Sequence, residues 1–224
     1  MTRTGLWTCL RPIGGVAAAV VLTVSLGQAP AAGSFSGRTL TGGSTVGAAG
    51  NFCVAGPQDV TVLNDTFTAE DAATTPHATT PALQVHSGVG TNRRTYLRFT
   101  LPAAPKHCVL AGAQLRVRNS APATGRVIAV HRADPAENPQ WTPGALTWSN
   151  QPAFVGTAAT SAAPAAPGVQ TWDVTAHTAV LMSGPNNGFV LKDAAEGQNG
   201  QTLQQYDEQS TAGGTPAVLR LTWG

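Results

Sequence analysis

The chain has 224 residues, of which 42% are hydrophobic and 11% are charged, which is enough for one ordinary domain and a leader segment. Its 25 glycines and 16 prolines favour many turns over long helices. The formal net charge is +2. Without Arg3 and Arg11 of the leader, the chain has 11 basic and 11 acidic residues. Its net charge is then zero, which argues against general binding to nucleic acid.

The first 31 residues have the pattern of a secretory signal peptide. Two arginines supply its positive charge, residues 13–26 are apolar, and residues 29–31 (Ala-Pro-Ala) fit the small-residue cleavage rule, so cleavage is predicted after residue 31. The apolar run is short for a membrane span, although a leader retained as an anchor remains the alternative. Residues 32–50, rich in Gly, Ser, Thr and Ala, predict a flexible linker, and residues 51–224 predict the folded domain.

Two of the three cysteines lie in the predicted domain. Cys9 belongs to the leader, which leaves Cys53 and Cys108. Two cysteines in an exported chain usually pair, so we predict a Cys53–Cys108 disulfide. Two free thiols are the alternative.

From residue 51 onward, short runs of apolar and β-branched residues are separated by turn residues, a pattern that predicts strands. The predicted strands cover residues 59–63, 82–86, 94–101, 111–118, 126–132, 145–148, 169–174, 188–192, 202–206 and 217–223. One short helix is expected over residues 175–182. Residues 153–168 consist mainly of Ala, Pro, Thr and Gly, and we expect a long loop there.

The runs over residues 94–101 and 111–118 alternate strictly between apolar and polar residues. Leu97 and Phe99 face one way in the first run, and Leu115 and Val117 do so in the second. Such alternation is typical of antiparallel sheet with one face open to solvent or ligand. Nine or ten short strands with one helix therefore predict an all-β fold, an antiparallel β-sandwich of the jelly-roll type.

Residues 141–152 are notable because they hold two of the five tryptophans, Trp141 and Trp148. Pro143-Gly144 is a turn signal, and the short strand at residues 145–148 follows it. Large aromatic side chains usually bury. Packing is therefore one interpretation of these tryptophans and ligand contact is the other.

The blocks together, in this order, resemble the DNRLRE domain family, also classed as carbohydrate-binding module family 96. The matching stretches are residues 91–99, 111–117, 141, 146–152, 170–175, 184–191 and 216–221. The resemblance covers about residues 60–223. It implies an extracellular β-sandwich that binds carbohydrate, with alginate-type acidic polysaccharide as the ligand class.

Charge is distributed unevenly along the domain. Between Ala72 and Ala133 there is no Asp or Glu, whereas eight of the 11 basic residues outside the leader lie there. If the strands over residues 94–101 and 111–118 pair, their outward side chains come together. Arginine presents a planar fork suited to carboxylate or sulfate, and tyrosine offers a ring for sugar stacking. The predicted ligand-binding residues are Arg94, Tyr96, Arg98, Arg116, Arg118 and Trp141.

These residues predict a groove for an anionic polysaccharide. The alternative is a solvated sheet face whose arginines pair with carboxylates in the C-terminal third of the chain. Those carboxylates belong to Asp173, Asp193, Glu196, Asp207 and Glu208.

A structural calcium ion has weak candidates in Asp65, Asp193 and Glu208. Calcium takes six to eight oxygen ligands, usually from clustered carboxylates and carbonyls. The spacing of these residues matches no calcium-loop motif, so we predict no cofactor.

Motifs of catalysis are absent from the sequence. There is no Gly-x-Ser-x-Gly, His-Glu-x-x-His, P-loop or Gly-x-Gly-x-x-Gly pattern. One combination typical of a polysaccharide lyase, His131 with Tyr96 and Arg98, remains as a third hypothesis.

We therefore predict a secreted, non-catalytic module that binds carbohydrate, with acidic, uronate-type polysaccharide as its partner. The alternative is a structural or adhesive surface protein that binds a protein or a wall component. We expect a monomer without nucleic-acid partner or stable membrane span, located outside the cell and associated with the cell wall.

Overall fold

Antiparallel strands dominate the part of the chain that the structure describes. This computed structural model describes residues 52–200, 202–210 and 212–224. The predicted signal peptide (1–31) and linker (32–50) lie outside these residues.

Ten strands and one α-helix follow each other along the described residues. The strands are β1 (Gln58–Ala69), β2 (Ala82–Val85), β3 (Arg93–Phe99), β4 (Leu110–Ala121), β5 (Val127–Ala133), β6 (Phe154–Ala162), β7 (Gly168–Asp173), β8 (Phe189–Asp193), β9 (Gln204–Asp207) and β10 (Val218–Trp223). Helix α1 spans Thr175–Ser183, and short 3-10 turns lie at Glu70–Ala72 and Trp148–Asn150. No helix among the described residues is long and apolar enough to cross a membrane.

The strands form two sheets that share β1. Sheet A has the order β2, β9, β4, β10 and the first part of β1, with β7 also pairing with β4. Sheet B has the order second part of β1, β3, β8, β5 and β6. An irregularity between Val62 and Asn64 lets β1 leave β10 and pair with β3. A β-bulge of this kind bends a strand and allows it to pass from one sheet to the next.

The main core lies between the two sheets. Leu97, Phe99 and Leu191 of sheet B pack in one buried cluster with Leu115 and Trp172 of sheet A. The indole Nε1 of Trp172 donates a hydrogen bond to the Ile128 carbonyl at 3.0 Å, so its polar atom is satisfied inside the core. The predicted all-β antiparallel sandwich is confirmed.

The predicted alternation within β3 and β4 is confirmed by burial. Leu97, Phe99, Leu115 and Val117 are all at most 2% exposed and point into the core. The arginines that alternate with them therefore lie on the outer faces of the sandwich, whereas Thr95 of β3 and Asn119 of β4 are buried polar residues.

Two predictions about local structure are wrong. Residues 145–148 are not a strand, because Leu146 is buried in a loop that packs on sheet B and Trp148 begins a 3-10 turn. Residues 153–168 are not one long loop, because they contain β6, which pairs with β5 at the edge of sheet B. The residues of β6 are mostly exposed, so their sequence shows no apolar alternation.

The predicted disulfide is confirmed: Cys53 and Cys108 are bonded, with their Cα atoms 4.6 Å apart. The bond joins residues 55 positions apart, and closing a loop of this length contributes about 4 kcal/mol in the chain-entropy account. It ties the segment before β1 to the segment between β3 and β4.

Candidate functional site

The predicted ligand-binding arginines lie on two different faces of the molecule. Strand β3 pairs with β1 and β8 in sheet B, whereas β4 pairs with β10, β7 and β9 in sheet A. The condition for a single groove, that these two strands pair, is not met, because the chain crosses from one sheet to the other between them. Arg94, Tyr96 and Arg98 are therefore on the outer face of sheet B, and Arg116 and Arg118 are on the outer face of sheet A.

Tyr96 and Trp141 are buried on the outer face of sheet B. Both belong to a small second core in which residues 134–153, the loop between β5 and β6, cover the sheet. The Tyr96 hydroxyl donates to the Pro152 carbonyl at 3.0 Å and lies 2.9 Å from Gln151 Oε1. The Trp141 indole donates to the Asn187 carbonyl at 2.9 Å. With exposures of 0% and 2%, neither side chain can contact a polymer.

Burial also removes Tyr96 from the lyase-like combination. It raises the pKa of the Tyr96 hydroxyl above its ordinary value, although the positive charge of Arg94 opposes this. His131, the third member, has its Nδ1 3.1 Å from the Gly156 carbonyl oxygen. A buried phenol with a raised pKa is poorly suited to act as acid or base on an outside substrate.

The guanidinium group of Arg94 is already bound by neighbouring side chains. Its Nε and Nη2 donate to the two carboxylate oxygens of Glu196 at 2.7 and 2.9 Å. Its guanidinium carbon lies 4.5 Å from the centre of the Trp148 ring and 5.1 Å from that of Phe154. Lys192 reaches the same carboxylate, at 3.1 Å. Bidentate pairing and stacking use most of the binding capacity of a guanidinium.

Arg98 has no ion pair with a described residue. Its guanidinium lies 5.5 Å from the centre of the Trp141 ring and faces the side-chain amide of Asn64. Its Nε is buried and finds no hydrogen-bond partner among the described residues. Burial lowers the pKa of Arg98.

Arg116 and Arg118 lie two residues apart on the open face of sheet A. Arg118 faces Asp207 at 3.4 Å and remains 40% exposed. Arg116 makes no ion pair or side-chain hydrogen bond with any described residue, and it is only half-buried. Both arginines line a groove of about 180 Å³. The remaining lining residues are Asp59, Val169, Thr215, Pro216 and Val218.

Several of the arginines pair with carboxylates, as the alternative interpretation of a solvated sheet face predicts. Arg94 pairs with Glu196, Arg118 with Asp207, and Arg126 with Asp193 at 2.9 Å from its Nε. All three carboxylates lie in the C-terminal third of the chain. Arg98 and Arg116 have no such partner among the described residues, which makes them the two predicted site arginines with unused binding capacity.

The calcium candidates do not come together. Asp65 and Glu208 are in contact and both are buried, and burial and the neighbouring Glu208 raise the pKa of Asp65 to about 6. Asp193 lies elsewhere, against Arg126. The described residues hold no group of three or more His, Cys, Asp or Glu able to hold a metal ion. The carboxylates present thus fall short of the oxygen-rich cluster that calcium requires.

Comparison with known proteins adds the decisive observation. The chain matches the sequence model of carbohydrate-binding module family 96 over residues 57–221. The chain belongs to this family. The match includes β1 to β9 and most of β10, so the sandwich itself is the carbohydrate-binding module. Modules of this kind are generally non-catalytic. No curated protein matches the chain significantly.

Sequence reasoning missed the groove residues contributed by other strands. Val169, Thr215 and Val218 come from β7, from the segment before β10 and from β10 itself. None carries a charge or an aromatic ring, and their approach to Arg116 depends on strand pairing. Only the register of sheet A, in which Val218 and Thr171 lie opposite Arg116, brings these segments together.

Proposed function

We propose that this protein is a secreted, non-catalytic module that binds acidic, uronate-type polysaccharide on the outer face of sheet A. The observation that carries the proposal is Arg116, an arginine with no partner among the described residues, beside a groove on an open sheet face. An arginine fork forms two parallel hydrogen bonds with a carboxylate. A uronate carboxylate is the ligand group that fits it.

The rest of the groove supports a sugar ring next to that carboxylate. Val169, Pro216 and Val218 supply aliphatic surface, and Val169 is 51% exposed. The hydroxyl of Thr215 supplies a hydrogen-bond donor and acceptor. A groove with aliphatic walls and few polar groups is the usual form of a small-molecule site.

The disulfide and the family support the extracellular location. Disulfides persist in oxidising compartments, and Cys53 and Cys108 are bonded. Secretion through the predicted leader, and association with a cell wall, belong to this proposal.

The first test compares Arg116→Ala with Arg98→Ala. Both variants remove an arginine without an ion pair among the described residues, but from opposite faces of the sandwich. Isothermal titration calorimetry with an acidic oligosaccharide should show that Arg116→Ala lowers the affinity about tenfold or more. The reason is that one charge-assisted hydrogen bond contributes about 1.5–3 kcal/mol. Arg98→Ala should keep wild-type affinity.

An equal loss in both variants would show that general positive charge attracts the polymer. A loss of affinity in Arg98→Ala alone would show that the binding site lies on sheet B. Either result contradicts the proposal.

A further inference from the structure

The outer face of sheet A carries balanced charge around Arg116. Its described strand residues include three arginines and three aspartates in outward positions. These are Arg116, Arg118, Arg220, Asp59, Asp173 and Asp207. Arg118 faces Asp207 at 3.4 Å, and Arg220 faces Asp59 at 3.8 Å. Only Arg116 is left without an acidic partner on this face of the described chain.

The strand register fixes where the acidic residues stand around Arg116. Gln114 lies opposite Arg220 on one side and Asp173 on the other, and Arg220 lies opposite Asp59. Asp59, Arg220, Gln114 and Asp173 thus form one row across the sheet, two residues from Arg116 along β4. With strands ~4.8 Å apart and a rise of ~3.4 Å per residue, Asp173 is roughly 8 Å from Arg116 between Cα atoms, and Asp59 roughly 12 Å.

Asp173 is held as a carboxylate in this row. Its Oδ1 accepts hydrogen bonds from the Thr175 backbone N–H at 3.0 Å and from the Thr175 hydroxyl at 2.7 Å. These bonds lower the pKa of Asp173. It therefore remains negative, and no cation of the described residues forms an ion pair with it.

We infer that the groove recognises an isolated uronate flanked by neutral sugars, rather than a continuous run of uronates. This inference rests on the proposed function. One carboxylate is neutralised by Arg116. A second carboxylate on the next sugar finds no described cation on this face that lacks an acidic partner, and it comes near Asp173, where like charges repel. Neutral neighbours avoid that repulsion, and their hydroxyls can donate to the same aspartates.

The test is calorimetric titration of the wild-type protein with three probes of equal backbone length at about 0.15 M salt, where the Debye length is ~8 Å. The probes are tetragalacturonate, a xylotetraose bearing one glucuronate, and unsubstituted xylotetraose. We expect the singly acidic probe to bind at least as tightly as tetragalacturonate and about tenfold more tightly than the neutral probe, since one charge-assisted contact separates the last two.

The variant Asp173→Asn sharpens the test, because the amide oxygen still accepts from Thr175 while the charge is lost. It should tighten tetragalacturonate binding about two- to fivefold, the usual range for an exposed charge pair, and change the singly acidic probe by less. The matched control is Asp134→Asn. Asp134 lies in the loop over sheet B, and its Oδ1 likewise accepts a hydrogen bond, from the Ala136 N–H at 2.9 Å. Its substitution should leave the affinity for both acidic probes unchanged.

The outcomes separate this inference from the proposed function. Tetragalacturonate binding about tenfold more tightly than the singly acidic probe, or tetragalacturonate binding that does not respond to Asp173→Asn, would overturn the inference and leave acidic-polysaccharide binding intact. Absence of binding to both acidic probes, or equal binding of the neutral probe, would overturn the proposed function itself.

Discussion

Neighbouring side chains determine which arginine can bind a ligand. Arg94 forms a two-pronged pair with Glu196 and stacks against Trp148. Arg118 retains exposure but faces Asp207. Arg116 has neither kind of partner among the described residues, although nothing in its local sequence distinguishes it from Arg118. The distinction arises from residues far along the chain, and the sequence therefore predicts a set of arginines but not the member that is free.

The carboxyl pair of Asp65 and Glu208 is the most perturbed acidic site in the described chain. Asp65 is 4% exposed and Glu208 is 7% exposed. The Gln209 backbone N–H donates to Asp65 Oδ2 at 2.9 Å, which favours the charged form. Burial outweighs this bond, Glu208 adds repulsion, and the pKa of Asp65 rises to about 6.

The contribution of Asp65 to stability should therefore decrease as pH rises. Between about pH 4 and pH 6 the unfolded chain releases the Asp65 proton while the folded chain keeps it, so the free energy of unfolding falls by about 3 kcal/mol in total. Asp65→Asn, which cannot ionise, should flatten this part of the profile in urea unfolding. Asp134→Asn is the control and should keep the wild-type slope. A decline in Asp65→Asn as steep as in the wild type would contradict this origin.

At the scale of elements, the loop over residues 134–153 changes the character of one sheet face. It buries Trp141 and Leu146 against Tyr96 and Val190, and the Trp141 indole donates to the Asn187 carbonyl. The outer face of sheet B becomes a second apolar core. On sheet A, no described segment covers Arg116 in this way, and Arg116 and Arg118 line an open groove there.

Trp141 should therefore matter for stability and not for binding. Trp141→Ala should lower the free energy of unfolding by about 3–5 kcal/mol, the usual range for truncating a buried tryptophan. Trp141→Phe keeps a packed ring but loses the hydrogen bond of the indole. That lost bond alone should lower the free energy of unfolding by about 1 kcal/mol. Urea unfolding measures both losses. Weakened carbohydrate binding by a stably folded Trp141→Ala would instead support the ligand role that the sequence suggested.

Elements with a strong apolar period could be predicted from the sequence, and others could not. β3 and β4 alternate because each buries one face, and both were predicted within a few residues. β6 was missed because this edge strand is mostly exposed and consists largely of Ala, Thr and Ser. Residues 145–148 were mistaken for a strand because Leu146 and Trp148 are large and apolar, although they pack from a loop.

At the scale of the whole molecule, composition and strand number were sufficient for the fold class. Pairing between distant strands was not predictable, because period-two alternation shows which residues share a face of one strand and not which strand lies beside it. β1 illustrates the problem: it pairs with the last strand, β10, and then with β3. The single groove expected from β3 and β4 therefore becomes two separate faces.

A two-dimensional nitrogen–proton NMR titration of the folded domain with a singly uronate-substituted oligosaccharide tests directly whether sheet A carries the carbohydrate site. We predict that the shifted signals cluster on the outer face of sheet A, at Arg116, Arg118, Val169, Thr215 and Val218. Signals from the loop over sheet B, including the Trp141 indole, should stay in place. Shifts concentrated on the outer face of sheet B around Arg98, or no shifts at saturating ligand, would contradict the claim that sheet A carries the carbohydrate site.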